Sequence, residues 1–335
     1  LLLEYLELLR ELVLLDPDSE DVEPLEALRE LHGYFFGNGN LGTVVSILDV
    51  LADLGGDERL SRSKRARVED LAAAILSPES LGTVAGMLES EDVEDGALAA
   101  YLERAVAANY SIAVERLGDL KRLSHREEIL APLTAAAARD PEALHRLFRH
   151  PDPGVVKNAV FLSGRAASRQ SLDALVEPLR SRDAEVRIEA INALKTYRSA
   201  RAMDLLVQAV DDPDKLVRYY ALRNLISFRY KPALRAVAGA IRARDFADKD
   251  LTEKKLFFEA WGRFAGAEAV PELRALLGRR TLLRKAEARD LKVCAATALG
   301  EIGGSEARAL LQEHLGDGQP EVREACEQAL ARLPR

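Results

Sequence analysis

The sequence predicts an all-α fold, an α-α superhelix assembled from stacked helix pairs. Three observations carry this. Val186, Ala190, Ala193 and Leu194 fall at offsets of 0, 4, 7 and 8, one face of a helix with 3.6 residues per turn. Val217, Ala221 and Leu225 present the same face 31 residues later. In both places an Asp stands three residues before the Val and an Arg directly after it, as Asp183-Val186-Arg187 and Asp214-Val217-Arg218. An apolar segment from Ala202 to Val210 lies between them and reads as the second helix of a pair. A helix pair that returns in phase at this interval marks a solenoid, in which each repeat buries its apolar face on its neighbours.

Composition agrees with a long helical array. Of 335 residues, 48% are hydrophobic and 30% charged, enough apolar material for a continuous core under a charged surface. Aromatic residues make up only 5%, so the core is built from Ala, Leu and Val. Ala favours helix and lets neighbouring helices approach. The formal charge of -8 argues against a general nucleic-acid binder. Two cysteines, Cys294 and Cys326, are too few for a disulfide framework and point to a reducing compartment, the cytoplasm. No run of 18 apolar residues suggests a membrane span.

In chain order, residues 1–15 form an amphipathic helix, with an acidic turn from Asp16 to Asp21 after it. A second helix is expected to end at His32, followed by a loop, HGYFFGNGN, over residues 32–40. Tyr34, Phe35 and Phe36 in that loop either pack the first helices together or form an exposed anchor for a partner. LGTV occurs at Leu41–Val44 and again at Leu81–Val84, each time opening a helix, with another helix from Lys64 to Leu76 between. Further helices are expected over 92–110, 111–121 and His125–Arg139. Residues 1–140 thus read as divergent helical repeats, and residues 141–335 as a regular array. Repeat positions in the regular part fall at Val156, Val186, Val217, Leu256, Leu291 and Val322. The longer steps hold charged insertions near residues 243–252 and 279–290. The first helix and the last, Glu321 to Leu333, are expected to cap the ends of the stack.

The recurring residues have physical roles. Asp183, Asp214 and Asp290 are expected at helix starts, where a carboxylate accepts free amide protons and favours the positive end of the dipole. Pro151, Pro153, Pro213 and Pro320 fit the same boundaries. Gly300, Gly303, Gly316 and Gly318 are expected to end helices. Small residues at 190, 221, 260 and 295 admit a neighbouring helix. The cation after each repeat position, as in Arg187, Arg218, Lys292 and Arg323, is expected to form a ladder with acidic residues of the adjacent repeat rather than a phosphate-reading stripe.

The phased unit D-x-x-V-R-x-x-A-x-x-A-L resembles the HEAT repeat, in the short PBS-lyase-like form found in many bacterial proteins. Asp183, Val186, Arg187, Ala190, Ala193 and Leu194 carry the resemblance, as do Asp214, Val217, Arg218, Ala221 and Leu225. Leu291, Lys292, Ala295, Ala298, Leu299 and Gly300 match the version ending in L-G-x-I-G, and Val322, Arg323, Cys326, Ala329 and Leu330 match with Cys in a small-residue slot. The unit at Leu256 departs, with Phe257 in the arginine slot and Trp261 as an unusual residue. The resemblance implies a non-enzymatic scaffold or adaptor for protein partners. It also allows a DNA-binding alkyl-base glycosylase of the HEAT-like type, or a lyase or chaperone that holds its partner.

No motif for chemistry, cofactor or metal is present. None of the five histidines forms an H-E-x-x-H, and no cysteine pair has finger spacing. No G-x-S-x-G or G-K-[ST] loop occurs. The candidate partner-binding residues are therefore the aromatic and basic centre of the chain, Tyr219, Tyr220, Arg223, Tyr230 and Trp261, together with Tyr34, Phe35 and Phe36. Adjacent helical residues diverge by about 100°, so Tyr219 and Tyr220 cannot both point inward. A continuous positive face with an exposed Trp261 would favour nucleic acid. Faces of mixed sign would favour a protein partner.

Overall fold

The computed structural model describes residues 1–17, 23–87, 95–120, 126–279 and 284–333, and among these every regular element is helical. Residues 18–21 of the expected acidic turn, the helix ends at 88–94 and 121, His125, and residues 280–283 of the second insertion lie outside the described residues. The chain forms two compact units, Leu1–Ser171 and Leu172–Arg335.

The first unit comprises α1 Leu2–Leu15, α2 Glu23–Gly37, α3 Leu41–Gly56, α4 Arg62–Ile75, α5 Pro78–Met87, α6 Asp95–Ala108, α7 Tyr110–Leu120, α8 Arg126–Arg139, α9 Pro141–Arg146 and α10 Pro153–Ala166. Helices α3, α6, α8 and α10 pack one on the next, with α4, α7 and α9 alongside. The expected loop at 32–40 is in fact helical through Gly37. Packing explains the extension: Phe36 lies 5.2 Å from the His32 ring and 6.1 Å from the fully buried Tyr101, which holds the chain in helix past Gly33. The turn follows only at Gly39, whose φ of +72° suits glycine, and Asn40 then caps α3 by accepting the Thr43 amide at 3.0 Å. Helix α1 buries Leu6, Leu9 and Val13 but turns Tyr5, Leu8, Leu12 and Leu15 outward.

The boundary falls within one turn, α11 Ser171–Ala174, and the second unit continues with α12 Ala184–Tyr197, α13 Ala200–Gln208, α14 Lys215–Ser227, α15 Leu234–Arg242, α16 Leu251–Ala265, α17 Val270–Leu277, α18 Lys285–Ile302, α19 Gly304–Glu313 and α20 Pro320–Arg332. Helices α12, α14, α16, α18 and α20 form one layer, each packed on the next, and α13, α15, α17 and α19 form the other. The predicted core positions are buried: Val186, Ala190, Leu194, Val217, Ala221 and Leu225 are each completely enclosed. Helix α20 turns Glu321, Glu324, Glu327 and Arg332 outward.

Helix caps set the repeat phase. Asp183 accepts the amides of Glu185 and Val186, Asp214 those of Leu216 and Val217, and Asp250 that of Glu253. Asp250 therefore corresponds to Asp214, which corrects the phase of the departing repeat. Glu253 occupies the valine slot, Lys254 the arginine slot, Phe257 the first small-residue slot and Trp261 the leucine slot. The steps between repeat positions 186, 217, 253, 291 and 322 are then 31, 36, 38 and 31 residues. Two further expectations are corrected. Asp290 lies inside α18 rather than at its start, because the helix already begins at Lys285. Gly300 does not end a helix either: it sits within α18, where a Cβ would stand 3.0 Å from that of Ala329, so glycine there lets α20 approach.

The expected ladder runs along the turns that precede the repeat helices. Arg187 donates from Nε and Nη2 to the two carboxylate oxygens of Asp212, both at 2.8 Å, and from Nη1 to the Ser181 carbonyl at 2.8 Å. Arg218 donates to Glu253 at 2.6 Å and to the Asp212 carbonyl at 2.6 Å. Lys254 donates to the Ala247 carbonyl at 2.7 Å and lies 3.9 Å from Asp290. Lys292 donates to Asp317 at 2.8 Å, and Arg323, in the last repeat, donates to the Asp317 carbonyl. The partners are not the capping aspartates, whose oxygens are occupied by amides. They are acidic residues just before or just inside the next repeat helix. Arg187, Arg218, Glu253 and Lys254 are all buried.

Three consequences are measurable. A Cβ at Gly262 of α16 would stand 2.6 Å from the backbone oxygen of Ala298 in α18. Gly262→Ala is expected to destabilise the protein by about 1–3 kcal/mol, read by thermal or urea unfolding, since two helix backbones must separate. Arg187→Met leaves Asp212 buried without its cation and is expected to cost about 3–5 kcal/mol in the same assay. The double variant Arg187→Met/Asp212→Leu should recover much of that loss. Burial pushes the Cys294 thiol up to about 12 and the Cys326 thiol up to about 11. Because the thiolate is the reactive form, neither should react with a disulfide-type thiol reagent in the folded protein near neutral pH, and both should react once guanidinium unfolds it. Rapid labelling of the native chain would show that the core opens.

Candidate partner-binding groove

Residues at one fixed phase of successive repeats line up across a layer of parallel-stacked helices. Six residues beyond each repeat position stand Arg223 on α14, Glu259 on α16, Thr297 on α18 and Gln328 on α20. All four line one groove of about 390 Å³. Tyr219 on α14 and Lys255 on α16, both two residues beyond the repeat position, form part of its wall, and Arg332 stands at the α20 side. Leu256, Ala325 and Ala329 supply its apolar lining. Within α16 and α20 the lining residues recur at i, i+3, i+4 and i+7, the exposed stripe of a helix whose opposite face is in the core.

The charges of this face alternate. Glu259 lies 3.6 Å from both Arg223 and Arg263, and Glu301 lies 2.8 Å from Arg263 and 3.8 Å from Arg332. These pairs are partly exposed and contribute little to stability. Lys255, half-buried in the wall, has no ion pair or hydrogen bond among the described residues.

The structure separates the residues that the sequence singled out. Tyr219 and Arg223 line the groove. Tyr220 stands beside them, its ring edge-on to Tyr219 at 5.5 Å; the two rings remain 38% and 42% exposed, so neither tyrosine points into the core. Tyr230 is elsewhere: its hydroxyl donates to Asp204 of α13 at 2.6 Å, in the other layer, and that bond raises its pKa. Trp261 is buried at 5% exposure because it fills the repeat's leucine slot, edge-on to Phe258 at 5.5 Å. Phe246, from the first insertion, packs edge-on to Phe257 and completes that aromatic cluster. One edge of Trp261 reaches a second, shallower depression with Pro232, Arg235 and Glu272. Tyr34, Phe35 and Phe36 belong to the first unit, where Tyr34 is 67% exposed and Phe35 and Phe36 are half-buried.

Gln328 and Arg332 escape sequence reasoning, as does the register of Glu259 with Arg223. The signal that finds them is the phase of the capping aspartate, which places Glu259 in register with Arg223 once Asp250 is aligned with Asp214. Of the histidines, His145 bonds Ser171 at 2.9 Å and His150 accepts the Asp152 amide at 3.1 Å, so the two face different partners. Among the described residues no group of three or more His, Cys, Asp or Glu side chains is placed to hold a metal ion, and no helix is long and apolar enough to cross a membrane.

Comparison with known proteins bears on the repeats. The family model described as HEAT repeats matches residues 141–226, and that described as PBS lyase HEAT-like repeat matches residues 295–317. No curated protein matches the chain. Among solved structures, one engineered protein is 21% identical, covering 58% of this chain and 96% of its own, with a TM-score of 0.36. A second engineered protein is 20% identical over 98% of both chains, with a TM-score of 0.35. Human deoxyhypusine hydroxylase, in complex with glycerol, is 21% identical over 88% of this chain and 99% of its own, with a TM-score of 0.30. With the capped D-x-x-V-R units and the helix-pair layers, the two family matches show that the chain contains HEAT repeats, over residues 141–226 and 295–317.

Proposed function

We propose that this protein is a non-enzymatic scaffold that holds a protein partner in the groove of its second unit. The observation that carries this reading is the row Arg223, Glu259, Thr297 and Gln328, one side chain per repeat, which with Tyr219 forms a continuous lined groove across four helices. Its chemistry is that of a binding surface. An exposed tyrosine pair, aliphatic lining and guanidinium groups are the residue types that dominate protein recognition. The alternation of Arg223, Glu259, Arg263, Glu301 and Arg332 supports a protein partner over nucleic acid, because a phosphate-reading face would be uniformly positive. Burial of Trp261 likewise takes the one tryptophan away from the Trp or Tyr platform that a base-excision reading needs. The two unpaired thiols support a cytoplasmic setting. A second reading, a lyase or chaperone that acts on the partner it holds, draws on the PBS lyase HEAT-like match at 295–317. The change from divergent to regular repeats near residue 140 divides, in this proposal, a supporting segment from the binding array.

The test compares the wild-type chain with Tyr219→Ala/Arg223→Glu as baits in lysate of the source organism. Both positions are exposed, so the thermal midpoint of the variant should stay within a few degrees of wild type. A protein retained by the wild type and lost from the variant is the expected result. Identical recoveries from both would remove the groove as the site, and nucleic acid retained only by the wild type would replace the protein partner.

A further inference from the structure

The charge pattern of the groove goes further than a partner-holding role and specifies what the partner presents there. We infer that the groove takes an acidic peptide segment, one that places carboxylates against Lys255 and the neighbouring guanidinium groups and an apolar side chain against Tyr219 and Leu256. This inference rests on the scaffold reading and names the chemistry of its partner.

The argument is a balance of charges within one face. Three cations line it, Arg223, Lys255 and Arg332, against one carboxylate, Glu259. The lining therefore carries a surplus of two positive charges in a chain whose formal charge is -8. Glu259 itself lies between two guanidinium groups, 3.6 Å from Arg223 and from Arg263. A basic segment would meet that single carboxylate under a surplus of like charge. An acidic segment meets open donors. Lys255 has no partner among the described residues, and Arg223 and Arg332 approach their carboxylates only at 3.6 and 3.8 Å, too far for a formed hydrogen bond. Their N–H groups remain available to an incoming carboxylate, the charge-assisted contact that guanidinium groups make best.

The polar remainder of the lining fits the same occupant. Thr252 and Thr297 border the groove and can bond a peptide backbone, Gln328 donates to Glu324 at 3.0 Å, and Leu256, Ala325 and Ala329 offer an apolar strip.

The experiment uses the full chain, immobilised, to select from phage-displayed short random peptides, with an oligothymidylate strand tested for binding in parallel. Enriched peptides are expected to carry net negative charge and at least one large apolar residue, and to bind less tightly as salt rises. Lys255→Glu should weaken them roughly tenfold or more, and a selection repeated on that variant should lose its acidic bias. Lys255→Gln, which keeps size without charge, should fall between the two, and Arg235→Glu on α15, in the other layer, should change nothing. Circular dichroism of each variant separates loss of binding from loss of fold. Peptides that depend on Tyr219 but are neutral or basic would overturn the acidic inference and leave the scaffold reading standing. Peptides insensitive to both Tyr219→Ala and Lys255→Glu would overturn the groove itself. No enrichment above the bare support, or oligothymidylate binding abolished by Lys255→Glu, would overturn both.

Discussion

The second unit depends on a line of buried cations at the turns before its repeat helices. Arg187 and Arg218 each hold two things at once, a carbonyl of the turn just behind them and a carboxylate of the repeat ahead. A charge taken out of water is costly unless it is paired and hydrogen-bonded, and these guanidinium groups satisfy that condition only when the turn and the next helix are both in place. Apolar faces alone would let helices slide along one another, since hydrophobic contact has no preferred direction. The ladder adds direction. Where the chain lengthens, the pattern bends without breaking: Lys254 replaces arginine, reaching the Ala247 carbonyl on one side and approaching Asp290 on the other.

Fixed spacing between repeats has a functional result. Once α14, α16, α18 and α20 stand in register, any position of the repeat becomes a row of side chains across the layer. Outside the α16 repeat the core rows keep to Val or Leu, Ala or Cys, and Leu. The row that lines the groove does not: Arg223, Glu259, Thr297 and Gln328 share a position and nothing else. Close contacts at Gly262 and Gly300 bring α16, α18 and α20 together, which narrows the face these residues share. The same repeat thus separates two duties, uniform residues that build the stack and varied residues that give one groove its chemistry.

Much of this was legible in the chain itself. Asp183 and Asp214 mark their helices because an aspartate ahead of an apolar period caps free amides, and that rule needs no tertiary information. The repeat at Asp250 was harder. Its valine slot holds Glu253 and its leucine slot holds Trp261, so apolar matching chose Leu256 and placed the repeat three residues late. The aromatic stretch at Tyr34 to Phe36 failed for a related reason. Gly33 and Gly37 suggest a loop, yet Phe36 gains enough packing on Tyr101 and His32 to keep the helix.

By itself the sequence determined the all-α repeat architecture, its caps and the buried faces of its regular helices, because helical period and capping act between residues close together in the chain. Tertiary structure alone decided which acidic residue each cation meets, that Trp261 is core while Tyr219 is surface, and that Lys255 stands in the groove wall without an ion pair among the described residues. Those facts depend on which helix faces lie side by side, and residues 25 or more positions apart meet only when the stack closes its register.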